Sequence, residues 1–315
     1  MDTLKSVEVK TEEKLAIGLG LRTKQFLLAS LALMRPKQWV KNSFVFAGLI
    51  FSQNILEPQL FLLTFWAFIS FCLLSSSVYI INDLSDIEED KLHPRKKNRP
   101  LPAGRITSTQ AISLLTVLLA ASLLLAWNLG NLFFAVAVIY FLLIVGYTFL
   151  FKHIVLLDIF TISAGFILRV VAGTVVISVI ISPWLLICTL LLSLFLALIK
   201  RRAEIVSLEN GGVDHRKVLQ DYSIKFVDQL ISIITAATIT AYSVYTFTAS
   251  KTEFLMLSIP FVIYGLFRYL YLVHEQDMGC SPEEVLFKDK PLLINISIWV
   301  VLSAVILYLE KWSLL

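Results

Sequence analysis

Long apolar runs, separated by short polar connections, dominate the chain from residue 39 onward. Each run has roughly 17 to 25 residues, the length that a helix needs to cross a hydrocarbon core about 30 Å thick. Backbone groups in lipid must be paired within their own segment, so these runs predict helices rather than isolated strands. The predicted spans are residues 39–55, 60–81, 109–128, 131–150, 156–178, 184–199, 229–249, 255–272 and 292–309.

Composition agrees with this pattern and excludes an ordinary soluble domain. Hydrophobic residues make up 57% of the 315 residues, and charged residues only 16%. We therefore expect an all-α polytopic membrane protein of about nine spans. Residues 1–38 are predicted to form a cytoplasmic or interfacial segment, in which 23–38 is an amphipathic lead-in and no cleavable signal is expected. Residues 39–315 are predicted to form one transmembrane domain.

The cations are concentrated on one side of the predicted membrane. With the N-terminus inside, 24 of the 27 Lys and Arg residues fall on the inner side, in the N-terminal segment and the inner connections. The longest of these connections are residues 82–108, 200–228 and 273–291. The positive-inside rule then predicts a cytoplasmic N-terminus and a site built on the cytoplasmic face.

An acidic segment follows the second predicted span. Asp83, Asp86 and Asp90 stand at i, i+3 and i+7, so they share one face if the helix continues inward, and Asn82 lies beside them. Oxygen ligands of this kind suit Mg²⁺, which is usually completed by substrate phosphates. An acidic loop that only faces the cytosol remains the alternative.

A basic, proline-rich stretch comes immediately afterwards. Arg95, Lys96, Lys97, Arg99 and Arg105 are interspersed with prolines, which stiffen a loop and turn it back. Carboxylates followed by cations match the needs of a metal–diphosphate complex, because the cations can hold phosphate oxygens. The positive-inside rule alone would also place cations here, so individual roles stay open.

The pattern NDxxDxxxD followed by NRPLPAGRI, within residues 82–106, resembles the first aspartate-rich motif of the UbiA prenyltransferase superfamily. The resemblance implies about nine helices around a cytoplasm-facing cavity, in which the motif binds Mg²⁺ and a diphosphate. It implies metal ligation by Asn82, Asp83, Asp86 and Asp90, with the three aspartates as the catalytic residues.

Four further segments indicate a branch of that superfamily. RPKQWVKN (35–42), YTFLFKHIVLLD (147–158), SAGFILRVVAG (163–173) and LIKRRAE (198–204) occur in the order found in the decaprenyl-phosphate phosphoribosyltransferase branch, to which the chain is similar. A second DxxxD motif, expected of enzymes that use an isoprenyl diphosphate, is missing from the loop that starts at Lys200.

This resemblance implies transfer of 5-phosphoribosyl from phosphoribosyl diphosphate to a polyprenyl phosphate, with release of diphosphate. The bilayer is the implied environment, in a bacterial inner membrane, and no nucleic acid is involved. The residues implied in substrate binding are Lys37, Lys41, Asn82, Lys97, Arg99, Tyr147, Lys152, Asp158, Arg169, Lys200 and Arg201.

Arg169 can also be interpreted without the family. A charge within a span costs several kcal/mol unless it faces a cavity or a partner. Asp158 lies eleven residues earlier and so returns to nearly the same helix face. Arg169 is therefore predicted either to line the site or to tie helices together.

Two other functions remain open at this level. One is a UbiA-type prenyltransferase that uses an isoprenyl diphosphate and an aromatic or other small acceptor. The other is a transporter for an anionic metabolite, although charge gathered on one face is not typical of alternating access. Polyprenol length and oligomeric state stay undetermined.

Overall fold

The computed structural model describes residues 25–94, 96–209, 217–248, 253–276, 285 and 288–311, and these residues are helical or in turns, without a β-strand. Eight of the described helices are long and apolar enough to cross a membrane. The α-helices are α1 Gln25–Met34, α2 Ala47–Phe51, α3 Pro58–Ser85, α4 Ile87–Leu92, α5 Ser108–Leu129, α6 Asn131–Phe149, α7 Leu157–Val176, α8 Pro183–Glu209, α9 Ile224–Thr248, α10 Ile259–Glu275 and α11 Lys290–Lys311. Short 3-10 helices cover Pro36–Phe46, Lys96–Asn98, Phe151–His153, Lys217–Asp221 and Glu253–Ser258.

Local sequence explains several helix ends. Pro58 and Pro183 each occupy the first position of their helix, where no amide hydrogen is needed. Thr107 and Gln110 form a capping box at the start of α5. Gly130 separates α5 from α6 with a φ of 123°, a conformation that disfavours other residues. These ends agree with the predicted span boundaries to within a few residues.

The first predicted span, residues 39–55, is not a regular α-helix. It consists of the 3-10 helix Pro36–Phe46 followed by α2. At about 2.0 Å per residue for the 3-10 part and 1.5 Å for the α part, the pair extends about 30 Å. The count of nine spans is therefore not confirmed by the eight long helices, and the ninth stays a prediction that falls on this segment.

Close packing against α7 accompanies this unusual segment. A Cβ added at Gly173 would lie 1.8 Å from the carbonyl oxygen of Val45, and one at Gly48 would lie 2.6 Å from the Thr174 side chain. Only glycine permits backbones to approach so closely. The 3-10 helix is thus fixed directly on α7.

Burial separates central helices from peripheral ones. In their most apolar windows, 56% of α3 and 61% of α7 are buried, compared with 17% of α5. One core joins α3, α6, α7 and the 3-10 helix Pro36–Phe46, and a second joins the start of α7 to α8, α9 and α10. The polar residues in the middle of α3 and along α7 are consequently buried among other helices.

Two details differ from the expectation for the inner loops. Helix α8 continues to Glu209, ten residues beyond the predicted span, so Lys200 and Arg201 lie on a helix rather than in a loop. The helix that carries the acidic motif is also interrupted at Asp86, whose φ and ψ of −103° and 14° separate α3 from α4.

Candidate active site

The three aspartates of the acidic motif lie at the end of α3 and in α4. Amide hydrogen bonds from Asp86 to the Asn82 carbonyl (3.1 Å) and from Asp90 to the Asp86 carbonyl (2.8 Å) preserve helical spacing across the interruption. Asp83 and Asp90 are buried, with only 1% and 2% of their surfaces exposed. Buried carboxylates need partners, and cations supply them.

Asp83 and Asp90 meet at one guanidinium. Arg99 Nη1 donates to Asp83 Oδ1 at 3.1 Å and to Asp90 Oδ2 at 2.6 Å. Arg35 also donates to Asp83 Oδ1, and Lys96 Nζ lies 3.9 Å from Asp90 Oδ1. The loop after the motif therefore folds back on it, as the prolines predicted.

Asp86 points to a different partner. Lys152 Nζ donates to Asp86 Oδ1 at 3.0 Å, and Asn82 Nδ2 donates to Asp86 Oδ2 at 2.9 Å. Lys152 belongs to the connection between α6 and α7, so this contact joins that connection to the end of α3. We call Asp83, Asp86 and Asp90, with Arg35, Lys96, Arg99 and Lys152, the acidic site.

The acidic site fits a divalent cation in its chemistry and partly in its geometry. Carboxylate oxygens are the ligands that Mg²⁺ prefers, and Asp83 and Asp90 already direct oxygens at one positive centre. Among the described residues, however, no three Asp, Glu, His or Cys side chains converge as a metal group. Asp86 would have to leave Lys152 to join the other two.

Arg169 lies in a separate, deeper cluster. Its Nε donates to Asn42 Oδ1 (2.8 Å), Nη1 to the Gly165 carbonyl (2.9 Å) and Nη2 to Tyr140 OH (2.7 Å). Asn42 in turn donates to Ser75, eight residues before the first aspartate and so roughly 12 Å deeper along α3. The structure thus places Arg169 among protein partners that tie α6 and α7 to the 3-10 helix Pro36–Phe46.

Asp158, Arg201 and Tyr147 do come together, but they face one another. Arg201 Nε donates to Asp158 Oδ2 at 2.5 Å, and Arg201 Nη2 donates to Tyr147 OH at 3.2 Å. Arg201 also pairs with Glu204, and Tyr222 OH donates to Asp158 Oδ1 at 2.8 Å. Asp158 and Arg201 are 0% and 1% exposed, so this ion pair is closed to solvent, while Glu204 beside it is 16% exposed.

Tyr222 closes that cluster from the side of the 3-10 helix Lys217–Asp221. Burial raises the pKa of its phenol above the ordinary value, and the hydrogen bond to Asp158 acts in the same direction. The hydroxyl therefore stays protonated at neutral pH and donates to the carboxylate. The same oxygen accepts a hydrogen bond from the amide of Leu156 (2.7 Å), which has a positive φ of 66°.

The remaining predicted lysines lie at varied depths. Lys37 and Lys97 are exposed, whereas Lys41 and Lys200 are partly buried. Lys200 Nζ lies 4.0 Å from a carboxylate oxygen of Glu204. These four residues stay predictions as substrate ligands.

Sequence reasoning missed several partners. Arg35 is the first residue of the RPKQWVKN segment, in which only Lys37 and Lys41 were predicted as substrate ligands. The signal available for Arg35 was its position directly before Pro36, where the chain changes direction. Tyr140, Glu204 and Tyr222 had no signal beyond being polar residues near span ends or within a span. Their roles arise from contacts between distant segments.

Comparison with known proteins agrees with the resemblance. Residues 42–282 match the UbiA prenyltransferase family. Decaprenyl-phosphate phosphoribosyltransferase of Mycolicibacterium smegmatis is 32% identical over 287 residues, covering 85% of this chain and 88% of the relative. The protein of the same name from Corynebacterium glutamicum is 32% identical over 292 residues, covering 88% and 86%.

Solved structures show the same fold at lower identity. A UbiA homolog from Archaeoglobus fulgidus bound to GPP and Mg²⁺ superimposes with a TM-score of 0.68 at 18% identity, over 89% of this chain and 99% of the other. A structure of digeranylgeranylglyceryl phosphate synthase gives a TM-score of 0.63 at 20% identity, over 90% and 99%.

Proposed function

The chain belongs to the UbiA prenyltransferase family, and we propose that it is a membrane enzyme that transfers 5-phosphoribosyl from phosphoribosyl diphosphate to a polyprenyl phosphate. Diphosphate is the leaving group. Relatives named for this activity align over most of the chain. The observation that carries the proposal is the acidic site, where three carboxylates and four cations lie in direct contact.

Asp83, Asp86 and Asp90, together with Asn82, would hold Mg²⁺ on the diphosphate. The ion would act there as a Lewis acid that neutralises the leaving group. Asp83 and Asp90 are oriented for this by the helical spacing of α3 and α4, and Asp86 would be free to join them if Lys152 paired with a phosphate instead.

The cations of the acidic site bind the diphosphate oxygens. Breaking the anomeric C–O bond leaves positive charge on the sugar and negative charge on the departing diphosphate. Arg99, Arg35 and Lys152 are fixed at the site before the reaction, so they stabilise that developing charge with little rearrangement of the backbone. Arginine suits this role because its planar donors match phosphate oxygens.

The acceptor needs cations more than it needs a base. A phosphomonoester is already anionic at neutral pH, since its second pKa is about 6. We assign Lys37 and Lys41 to the acceptor phosphate; both lie on the 3-10 helix that begins next to Arg35. Lys97 and Lys200 are assigned as further cations for the substrate phosphates. The polyprenyl tail extends into the surrounding lipid. The positive-inside distribution supports a cytoplasmic site, and the bacterial relatives support an inner membrane.

We assign Arg169, Asp158 and Arg201 a supporting role, which for Arg169 is one of the two roles that the sequence left open. Their polar atoms are bound by other side chains and backbone carbonyls, so they hold α6, α7 and α8 in position rather than contact the substrate. Tyr147 belongs to the same supporting group through Arg201.

A product assay tests the proposal. Purified protein in detergent would receive polyprenyl phosphate, Mg²⁺ and radiolabelled phosphoribosyl diphosphate. We expect a labelled lipid that disappears with chelator and falls about 100-fold or more in Asp83→Asn, because one carboxylate of the metal site is lost. Glu88→Gln is the matched control, since Glu88 is exposed in α4 and pairs with Lys91.

The runner-up activity gives a different result in the same assay. An isoprenyl diphosphate and an aromatic acceptor would yield product, whereas phosphoribosyl diphosphate would give no labelled lipid. That outcome would refute phosphoribosyl diphosphate as the donor, whereas the assignment to the UbiA prenyltransferase family would stand. Phosphoribosyl transfer in detergent, without any gradient, would in turn contradict the transporter.

A further inference from the structure

Arg35 reaches the acidic site from an unusual backbone conformation. Its φ and ψ of 54° and 61° are left-handed, which is rare for a residue with a side chain and carries a conformational cost. Pro36 follows, so the chain cannot continue α1 through this point. The guanidinium is 4.9 Å from the centre of the Tyr79 ring while it donates to Asp83. The backbone turn at Arg35 therefore directs its side chain to Asp83.

Arg99 reaches the same carboxylate from the opposite segment. Its amide donates to the Lys96 carbonyl at 2.9 Å, and its own carbonyl accepts from Ala103 at 3.0 Å, so its backbone is held in a tight turn. The side chain bridges Asp83 and Asp90 and is 27% exposed, compared with 22% for Arg35. Both side chains are thus partly accessible from solvent.

We propose that Arg35 and Arg99 are exchangeable counter-ions of the acidic site. Without ligand they neutralise Asp83 and Asp90, and they compete there with the divalent cation. When the metal–diphosphate complex binds, the two arginines transfer from the carboxylates to the phosphate oxygens. The identity of that diphosphate rests on the proposed function.

Charge balance is the reason for this exchange. The four cations of the acidic site exceed its three carboxylates by one charge. A divalent cation alone would add to that excess and would have to displace Arg99 without giving it another partner. A cation that arrives with a polyanion leaves every arginine paired. Metal and diphosphate are therefore expected to bind cooperatively.

Binding of Mn²⁺ to the purified protein, followed by electron paramagnetic resonance, tests the competition without catalysis. Mn²⁺ accepts the same oxygen ligands as Mg²⁺. In the absence of phosphoribosyl diphosphate, Arg99→Gln should bind Mn²⁺ about tenfold more tightly than the wild type, because two charge-assisted hydrogen bonds no longer oppose the ion. Arg35→Gln should shift in the same direction by a smaller factor, because it contacts only one aspartate.

Lys91→Gln is the matched control. It removes one positive charge next to Asp90, but Lys91 is paired with Glu88 rather than with the acidic site. Its Mn²⁺ affinity should stay within about twofold of the wild type, because exposed charges are screened. Arg99→Lys retains the positive charge, so its Mn²⁺ affinity should return most of the way to the weaker wild-type value. A merely structural role of Arg99 would not predict this return.

The second half of the test uses the diphosphate. In the wild type, phosphoribosyl diphosphate should raise the apparent Mn²⁺ affinity, and in Arg99→Gln this enhancement should fall about tenfold or more, since the exchanged phosphate contact is missing. Unchanged or weaker Mn²⁺ binding in both arginine variants, with unfolding midpoints like the wild type, would overturn the inference.

Failure of the proposed function would look different. Phosphoribosyl diphosphate would then leave the Mn²⁺ affinity of the wild type unaltered, whereas Arg99→Gln would still bind the ion more tightly. The competition would stand in that case, with another polyanion as the partner of the arginines.

Discussion

The buried pair of Asp158 and Arg201 offers a direct test of structural against substrate-binding roles. Asp158→Asn keeps the size of the side chain and removes its charge. Arg201 would retain Glu204 and Tyr147 as partners, while Tyr222 would face an amide instead of a carboxylate. We expect the folded protein to be destabilised and substrate affinity in the surviving fraction to be nearly unchanged.

The magnitude follows from burial. Removing one partner of a buried ion pair costs about 3 to 5 kcal/mol, because the other charge is left in a medium of low dielectric. Glu204 still compensates Arg201, so Asp158→Asn is expected near the lower limit, at about 3 kcal/mol. Tyr222→Phe removes the hydrogen bond to the Asp158 carboxylate and the one that the hydroxyl accepts from the Leu156 amide, so it should cost about 2 to 3 kcal/mol. The double variant should cost less than the sum, since both changes act on the same carboxylate.

Unfolding in detergent, followed by tryptophan fluorescence, measures the stability, and initial rates at varied phosphoribosyl diphosphate give KM and kcat. Asp228→Asn is the matched control. Asp228 also pairs with an arginine, Arg202, at 2.7 Å, but it is 36% exposed, so its loss should cost no more than about 1 kcal/mol.

The opposite pattern would refute this interpretation. If Asp158→Asn unfolded like the wild type while the KM for phosphoribosyl diphosphate rose about tenfold or more, the pair would have to open to substrate during turnover. Asp158 and Arg201 would then be substrate ligands, as the sequence segments suggested.

Two further results are expected. Gly173→Ala should destabilise the protein by about 3 kcal/mol or more, because the new methyl group would collide with a backbone oxygen. Gly165→Ala in the same helix is the control: its methyl group would meet the flexible end of Ile144 at 3.2 Å and should cost less than about 1.5 kcal/mol. Equal shifts of the melting temperature in the two variants would contradict the close approach of Gly173 to Val45. The hydrogen bonds from Arg268 hold the pKa of Asp289 below its ordinary value. Asp289 therefore stabilises the fold above the ordinary carboxyl pKa, and this contribution is lost as the pH falls through the lowered value. The unfolding midpoints of the wild type and Asp289→Asn should converge in acid, and a constant difference down to about pH 2 would contradict the assignment.

The apolar pattern predicted most of the fold because length and hydropathy suffice to define a helix in lipid. Helices α3, α5, α6, α7 and α11 begin and end within four residues of the predicted spans. The pattern could not predict the 3-10 helix Pro36–Phe46, in which Val45 packs against Gly173 on a helix more than a hundred residues away. It also missed the inward extension of α8, because charged residues resemble a loop in a hydropathy profile.

The site was predictable where its chemistry is local in sequence. Spacing placed Asp83 and Asp90 on one side, and both do reach Arg99. Asp86 accepts from Lys152 instead of Arg99, a contact with the connection between α6 and α7 that local spacing could not predict. Arg35 had no such local signal, because its contact with Asp83 joins residues 48 positions apart.

Exposure separates the ion pairs that hold this fold from those that can take part in the reaction. Asp158 and Arg201 are almost completely inaccessible, so a phosphate could reach Arg201 only by leaving a buried carboxylate uncompensated, which costs several kcal/mol. Arg35 and Arg99 contact carboxylates that are just as buried, yet their own side chains are 22% and 27% exposed. In the proposed exchange their positive charge would move to a ligand, and a metal ion would take their place on the aspartates. Solvent access to the arginine would then separate the structural ion pair of Asp158 and Arg201 from the exchangeable contacts of Arg35 and Arg99.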